Sequence, residues 1–233
     1  MEVFLSNVLK PITLHGKFKD MKKIPGIVLI TFVMWGQAQS FVGNIDFKYF
    51  NQKDTGNYVY WIKGNKIKLD QNSKKTPGTI DGSFVFDLNE KKVYFVNPKR
   101  RVWGEQKSEL PPIIKGSCEV QKTSNLKTIQ GYKCLEYIVR NQTENTEISY
   151  WITQEGKFDF FVPMLILWNR KDKQSIYFSQ IKGLPSGSMP LLSEERQLSD
   201  KKILTKLEVV KISNTVPDEG KMQIPADYEK FEN

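Results

Sequence analysis

The chain holds a single histidine, His15, and two cysteines, Cys118 and Cys134, among 233 residues. These scarce groups bound the chemistry. His15 lies ahead of a segment read below as a cleaved leader, so the working protein carries no imidazole. A Ser–His–Asp or Cys–His nucleophile is thereby excluded, as is a histidine metal site. Two thiolates alone rarely complete a tetrahedral shell, so no metal is expected. No glycine-rich phosphate loop or calcium-loop spacing occurs, and no cofactor is implied. In an oxidising compartment Cys118 and Cys134 read as one disulfide, worth roughly 3 kcal/mol by loop closure. Two buried free thiols are the alternative.

Carboxylates remain. Glu194 and Glu195 are adjacent, and Asp200 follows closely. Neighbours on a strand point to opposite faces, so this pair would not share a site. A solvated, charged strand is the expectation. Asp46, Asp70 and Asp87 alternate with apolar residues, which assigns them to a polar face. Asn141-Gln142-Thr143 matches a glycosylation acceptor formally and reads as a polar hairpin tip. No residue is assigned a catalytic role.

The densest apolar run after the leader is residues 158–168. Pro163 argues against a central strand there. Proline is tolerated in the first turn of a helix, so a short helix over 163–168 is expected. Such a piece either lines and gates an apolar cavity or plugs the core. Met164 and the aromatics suit an adaptable apolar surface.

The elements that must position these groups are strands. Over 41–49, Phe41, Ile45, Phe47 and Tyr49 share one face, and Asn44, Asp46 and Lys48 the other. Residues 58–63 and 66–70 flank a two-residue turn, Gly64-Asn65, where glycine accepts a positive φ. Residues 84–88 and 92–96 make a second hairpin around Asn89-Glu90, and 101–105 a further strand. Residues 107–116, with Pro111-Pro112, read as a connection. Residues 118–120 and 134–139 flank a turn at Gln130-Gly131-Tyr132. Strands over 147–152 and 204–212 and a tail at 223–228 complete the pattern. No helix alternates with these strands, so a parallel α/β fold is not expected. Roughly ten strands in one domain must curl to bury one face. The expected fold is mainly β: a large curved antiparallel sheet with one or two short helices lidding its concave face.

Residues 21–38 have the order of a secretion signal: Lys22 and Lys23, an apolar stretch at 27–35, then small residues at Gly36 and Ala38. Cleavage after about Ala38 is expected, with residues 39–233 a single domain. Residues 1–20 read as an upstream extension ahead of a true start at Met21. A long signal head is the alternative. The apolar stretch falls short of the roughly 20 residues that span a bilayer. The cleaved protein is therefore not membrane-spanning, and an uncleaved anchor is the lesser reading. The formal charge is +9. Five basic residues (Lys10, Lys17, Lys19, Lys22, Lys23) and two acids (Glu2, Asp20) precede Gln39, which leaves about +6 afterwards. Nucleic acid is not an expected partner, because the one basic cluster, Asn97-Pro98-Lys99-Arg100-Arg101, looks like a turn.

Several short motifs together resemble a known group. They are the opening Phe41-Val42-Gly43-Asn44-Ile45, the hairpin Ile62-Lys63-Gly64-Asn65-Lys66-Ile67 and the turn Gln130-Gly131-Tyr132-Lys133-Cys134. Tyr150-Trp151-Ile152-Thr153 and Gln223-Ile224-Pro225-Ala226-Asp227-Tyr228 fit the same pattern. With the leader, they resemble the secreted domain-of-unknown-function family 4412 (DUF4412), over nearly all of residues 41–228. That family is similar to LolA-like periplasmic lipoprotein carriers and localisation factors. The resemblance implies a half-barrel whose short helices cover an apolar cavity that accepts acyl chains, with 158–168 the lid. It implies no catalytic residue. The carriers' functional arginine has no matching motif here.

Two readings follow. In one, a periplasmic or secreted, non-enzymatic protein binds a lipid or acylated peptide, driven by roughly 25 cal/mol per Å² of apolar surface removed from water. Its expected liners are Phe47, Tyr60, Trp61, Phe86, Tyr94, Trp151, Phe161, Met164 and Trp168. In the other, the same strands form a solid interaction module that meets an envelope protein partner. An enzyme resting on carboxylates, tyrosines or lysines takes third place.

Overall fold

Residues 40–107 and 112–231 are described in the computed structural model of the chain. The upstream extension and leader read from the sequence lie outside these residues. The described residues fall within one compact unit, Gln37–Asn233. Period-two patterning opens the chain as a meander. It runs through β1 (Gly43–Asn51), β2 (Asp54–Lys63), β3 (Lys66–Asn72), β4 (Ile80–Asp87), β5 (Lys92–Asn97) and β6 (Val102–Glu105). A second series follows as β7 (Glu119–Ile129), β8 (Tyr132–Asn141) and β9 (Thr146–Thr153). Two short helices, α1 (Phe161–Trp168) and α2 (Lys173–Phe178), then interrupt the strands. The chain ends with β10 (Pro190–Gln197), β11 (Ile203–Ser213), α3 (Glu219–Met222) and β12 (Glu229–Lys230).

The twelve strands form one sheet in the order β12-β6-β5-β4-β3-β2-β1-β11-β10-β9-β8-β7. Every pairing is antiparallel except β12 with β6. The first and second meanders join where β11 returns to lie against β1. The sheet is open and curved, as expected from the sequence.

Register decides which side chains meet. Ile45 faces Tyr60, Tyr60 faces Leu69, and Leu69 faces Phe84 across successive strands. Residues opposite one another share a face, so this row marks the concave side. Residue Val210 is an extra residue in β11, between partners of Asp46 and Phe47. That bulge keeps Val209, Leu207 and Thr205 on the concave side with Phe47 and Tyr49. The row continues through Ser193 opposite Leu207, Tyr150 opposite Ser193, and Tyr137 opposite Tyr150.

The core lies between this face and the two helices. Phe158, Phe160, Phe161, Met164, Trp168, Tyr177 and Phe178 are buried against it. The proline rule holds for α1: Pro163 is its third residue, where no amide partner is required. The helix begins two residues ahead of the proline because the Phe161 amide already closes a turn onto the Phe158 carbonyl at 3.0 Å. It stops at Asn169, which takes the left-handed conformation (φ 50°) and donates its amide to the Leu165 carbonyl at 3.1 Å. Helix α2 starts at Asp172, whose carboxylate accepts from the Ser175 amide at 3.0 Å.

A second apolar layer covers part of the convex side. Val59, Val85 and Val96 are buried there, and Met222 of α3 is buried as well. The Trp61 indole donates to Asp70 at 2.8 Å, and the Ser83 hydroxyl does so at 2.6 Å. Asp70 stands on the polar-face parity read from the sequence but is 5% exposed.

The expected disulfide is corrected: Cys118 and Cys134 are free. The hairpin of β7 and β8 keeps them apart. Cys134 pairs with Lys127 near the turn, whereas Cys118 lies beside Asn141 at the far end of β8. Seven residues of strand at about 3.3 Å each separate those ends, and a disulfide needs Cα atoms within roughly 7 Å. Burial pushes the Cys134 thiol up to about 11. It also pushes up Cys118, against a hydrogen bond from Asn141.

Candidate ligand cavity beneath the lid helices

Where α1 and α2 cross the concave face they do not fill it. A cavity of about 200 Å³ remains between the helices and strands β1, β2, β3, β9, β10 and β11. Its floor is aromatic and aliphatic: Phe47, Tyr58, Tyr60 and Leu69, with Leu207 beside them. Its roof is Phe161, Leu165, Trp168 and Phe178. Strand parity explains the floor, since Phe47, Tyr49, Tyr58 and Tyr60 all fall on the concave row.

Aromatic contacts hold the roof. The Trp168 ring lies 5.1 Å from Phe84 and 5.2 Å from Phe86. Phe178 meets Phe161 at 5.4 Å and Tyr150 at 5.7 Å. The Tyr150 hydroxyl donates to the Gln174 carbonyl at 2.8 Å, and the Tyr177 hydroxyl donates to Glu144. Lys173 donates to the Thr146 hydroxyl at 2.6 Å and lies 3.6 Å from Glu144.

One end of the cavity is polar. Arg170 stacks over the Trp168 ring at 4.5 Å and pairs with Asp172 at 2.6 Å. Deeper in, Gln174 donates to Thr205 at 2.8 Å, and Thr205 donates to Glu195 at 2.8 Å. Glu195 is 7% exposed. It is not part of the solvated charged strand expected from the sequence. Its neighbour Glu194 does face outward, where Arg196 and Lys206 pair with it. Burial pushes up the Tyr150 phenol, and the negative charges of Asp172 and Glu195 add to this. Tyr49 is raised too, by burial against a hydrogen bond with Asn51, then by the same two carboxylates. Burial raises Tyr60 likewise. Burial thus favours the neutral form of the Tyr49, Tyr60 and Tyr150 phenols.

Of the residues expected as liners, Phe47, Tyr60, Phe161 and Trp168 meet at the cavity. Phe86 and Met164 lie in the adjoining core, Phe86 under Trp168 and Met164 on the buried side of α1. Trp61, Tyr94 and Trp151 are not brought to it. Trp61 neighbours Tyr60 on one strand and therefore points the other way, where Lys221 covers its ring at 4.4 Å. Tyr94 packs on Trp103 at 5.7 Å, and Lys127 lies over Trp151 at 5.2 Å. The sequence reading missed Tyr58, Gln174, Glu195 and Thr205. Parity with Tyr60 marks Tyr58, and the alternation Thr205, Leu207, Val209 marks Thr205. Asp172 two residues ahead of Gln174 is the cap that marks α2.

Among the described residues, no cluster of His, Cys, Asp or Glu is placed to hold a metal ion. No described helix is long and apolar enough to cross a membrane.

Fold and cavity define a class: an open β half-barrel with short helices over its concave face. The sequence profile described as Domain of unknown function (DUF4412) matches residues 41–228, and the chain belongs to that family. No curated protein matches it in sequence. Solved structures with a similar course include an uncharacterized conserved protein from Thermus thermophilus. That match has 12% identity and a TM-score of 0.44, and covers 81% of this chain and 90% of the other. The Pseudomonas aeruginosa MucA/MucB complex matches at 11% identity and a TM-score of 0.43, over 79% of this chain and 56% of the matched one. A LolA superfamily protein from Nitrosomonas europaea matches at 10% identity and a TM-score of 0.32, over 80% and 91%.

Proposed function

We propose that the protein is a non-catalytic envelope protein, periplasmic or secreted, that binds an apolar ligand beneath its lid helices. A lipid or an acylated peptide is the class of ligand. The cavity of about 200 Å³ carries this reading, because its floor and roof are largely aromatic and aliphatic. At roughly 30 Å³ per water-sized group it takes six or seven such groups. A chain of six or seven methylenes gains about 5 kcal/mol on burial, at about 0.8 kcal/mol each. That is the gross driving force, from which the entropy lost on association is subtracted. The leader-like order of residues 21–38 supports an address outside the cytoplasm. The test is extraction of the protein purified from its native envelope, with mass spectrometry of what it carries, beside titration with hexanol. A Leu165→Trp variant, which fills the cavity, should carry and bind nothing. Equal binding by this variant and the wild type refutes the reading.

One observation favours a second reading, an interaction module of the envelope. On the outer side of α1, Ile166 is 73% exposed beside a groove of about 820 Å³ formed with residues 179–187. Ile166→Asp would then abolish capture of an envelope protein while leaving hexanol binding intact.

A further inference from the structure

The polar end of the cavity is short of hydrogen-bond donors. Glu195 is more than nine-tenths buried and presents a carboxylate to the cavity. Among the described residues its hydrogen-bond partner is one hydroxyl, that of Thr205. The nearest strand cations, Arg196 and Lys206, pair with Glu194 on the opposite face. Gln174 lines the same wall, and its side-chain carbonyl oxygen is buried with no partner among the described residues.

Reversing the Gln174 amide does not cure the deficit. Thr205 has one hydroxyl hydrogen. Given to Glu195, it leaves the Gln174 oxygen bare. Given to the reversed Gln174, it leaves Glu195 bare. Either way one acceptor of this wall goes without the Thr205 proton, and with the amide as placed that acceptor is the buried Gln174 oxygen, a deficit that native interiors rarely accept. The cations nearby are engaged elsewhere. Arg170 is held by Asp172, and Lys173 by Thr146 and Glu144. A buried carboxylate without a cation is the costlier half of the deficit.

We propose that this end of the cavity takes the ammonium group of an apolar amine, whose body lies on Phe47, Tyr58 and Tyr60. The ammonium supplies three donors and a positive charge, so one group answers both Glu195 and Gln174. A carboxylate head brings neither and meets Glu195 at close range. This inference rests on the apolar-ligand reading and names the head group that the reading leaves open.

The test compares three probes with the same six-carbon body: hexylammonium, hexanol and hexanoate. Each is titrated at neutral pH into the protein spanning residues 39–233, followed by amide chemical shifts and calorimetry. Hexylammonium should bind about tenfold or more tightly than hexanoate, the factor expected for one charge-assisted hydrogen bond. Its shifts should centre on Gln174, Glu195 and Thr205. Glu195→Gln keeps the shape and removes the charge, and should bring the three probes within about threefold of each other. Gln174→Leu removes the unpartnered oxygen together with the amide donor to Thr205, so it should fold about as well as wild type and weaken hexylammonium alone. Hexanoate binding as well as hexylammonium, or a preference unchanged in both variants, overturns the inference while leaving the apolar cavity standing. Failure of all three probes, hexanol included, overturns the cavity reading as well. A water molecule that satisfies Gln174 and Glu195 would appear as equal affinity for hexanol and hexylammonium, which also overturns the inference.

Discussion

Trp168 is the side chain on which the roof of the cavity depends, and Trp168→Ala tests that role. The indole is 7% exposed. It lies 5.1 Å from Phe84 and 5.2 Å from Phe86, with Arg170 stacked at 4.5 Å on its other side. Truncating a buried tryptophan costs about 3–5 kcal/mol. The lower end applies here, because one edge of the ring already borders the cavity and has fewer partners to lose. For a chain of this size each kcal/mol lowers Tm by roughly 2–4 °C. The variant should therefore melt about 6–12 °C below wild type by circular dichroism. Indole should refill the hole. At a hundred times its Kd a ligand restores about 2.7 kcal/mol, so saturating indole should recover most of the loss in the variant. The wild type, in which Trp168 fills its own site and only the apolar cavity beside it is open to indole, should shift less. A drop under about 2 °C would mean that α1 is not pinned through this residue. Indole stabilising both proteins equally would mean that the truncation opened no specific site.

Three further outcomes are expected. Glu144 is held below its ordinary value by the Tyr177 hydroxyl first, then by the Lys115 amide and Lys173. Its contribution is complete above the unfolded value near 4.3 and is lost as pH falls through the lower folded value. Urea unfolding between about pH 3 and 7 should thus show an acid limb that Glu144→Gln flattens; an unchanged slope removes Glu144 from the account. Denatured without reductant, the protein spanning 39–233 should show both thiols to a disulfide-exchange reagent, and native protein should keep Cys134 unreactive, because burial holds that thiol protonated. Asp70→Ala strands the Trp61 and Ser83 donors and leaves Lys68, 3.4 Å away, without its partner. It should cost about 3 kcal/mol in urea, and Asp70→Asn, which keeps an acceptor, under half of that.

The strands were legible where a strand has one wet and one dry face. Residues 41–49 alternate because β1 lies between β2 and β11 and buries only its concave side. Strand β7 escaped beyond its first residues because it is the sheet's edge and nearly all of it is exposed, so no apolar alternation is written there. Its pairing with β8 makes it a strand. Helix α2 escaped because six residues are too few to show a period, and only its Asp172 cap announces it. The site was half legible for a related reason. Aromatics are found by type, but the face they occupy is set by parity within a strand. Tyr60 and Trp61 are equally aromatic, and one residue of phase sends the first to the cavity and the second under Lys221. Glu195 was hidden by its neighbour. A Glu-Glu pair reads as solvated charge, yet adjacent strand residues divide between the two faces, so one of the pair had to turn inward.

The two lid helices are held by different physics, and the cavity lies where the two meet. Helix α2 is tied by directed bonds: Tyr150 to the Gln174 carbonyl, Tyr177 to Glu144, and Lys173 to Thr146. Each would leave a buried partner unsatisfied if the helix moved, so α2 has one favourable position. Helix α1 rests on Phe161, Met164 and Trp168, contacts without fixed direction that tolerate sliding over an aromatic floor. Its first turn adds no restraint of that kind, since Phe160 provides no side-chain cap and the turn holds no acid. Apolar surface gained from a ligand offsets apolar surface lost by α1 almost in kind, whereas nothing apolar replaces the bonds of α2. Under the proposed function, a ligand entering between them would shift α1 before α2. The acceptors Gln174 and Glu195, placed on the tied helix and on the sheet and joined through Thr205, would keep their register.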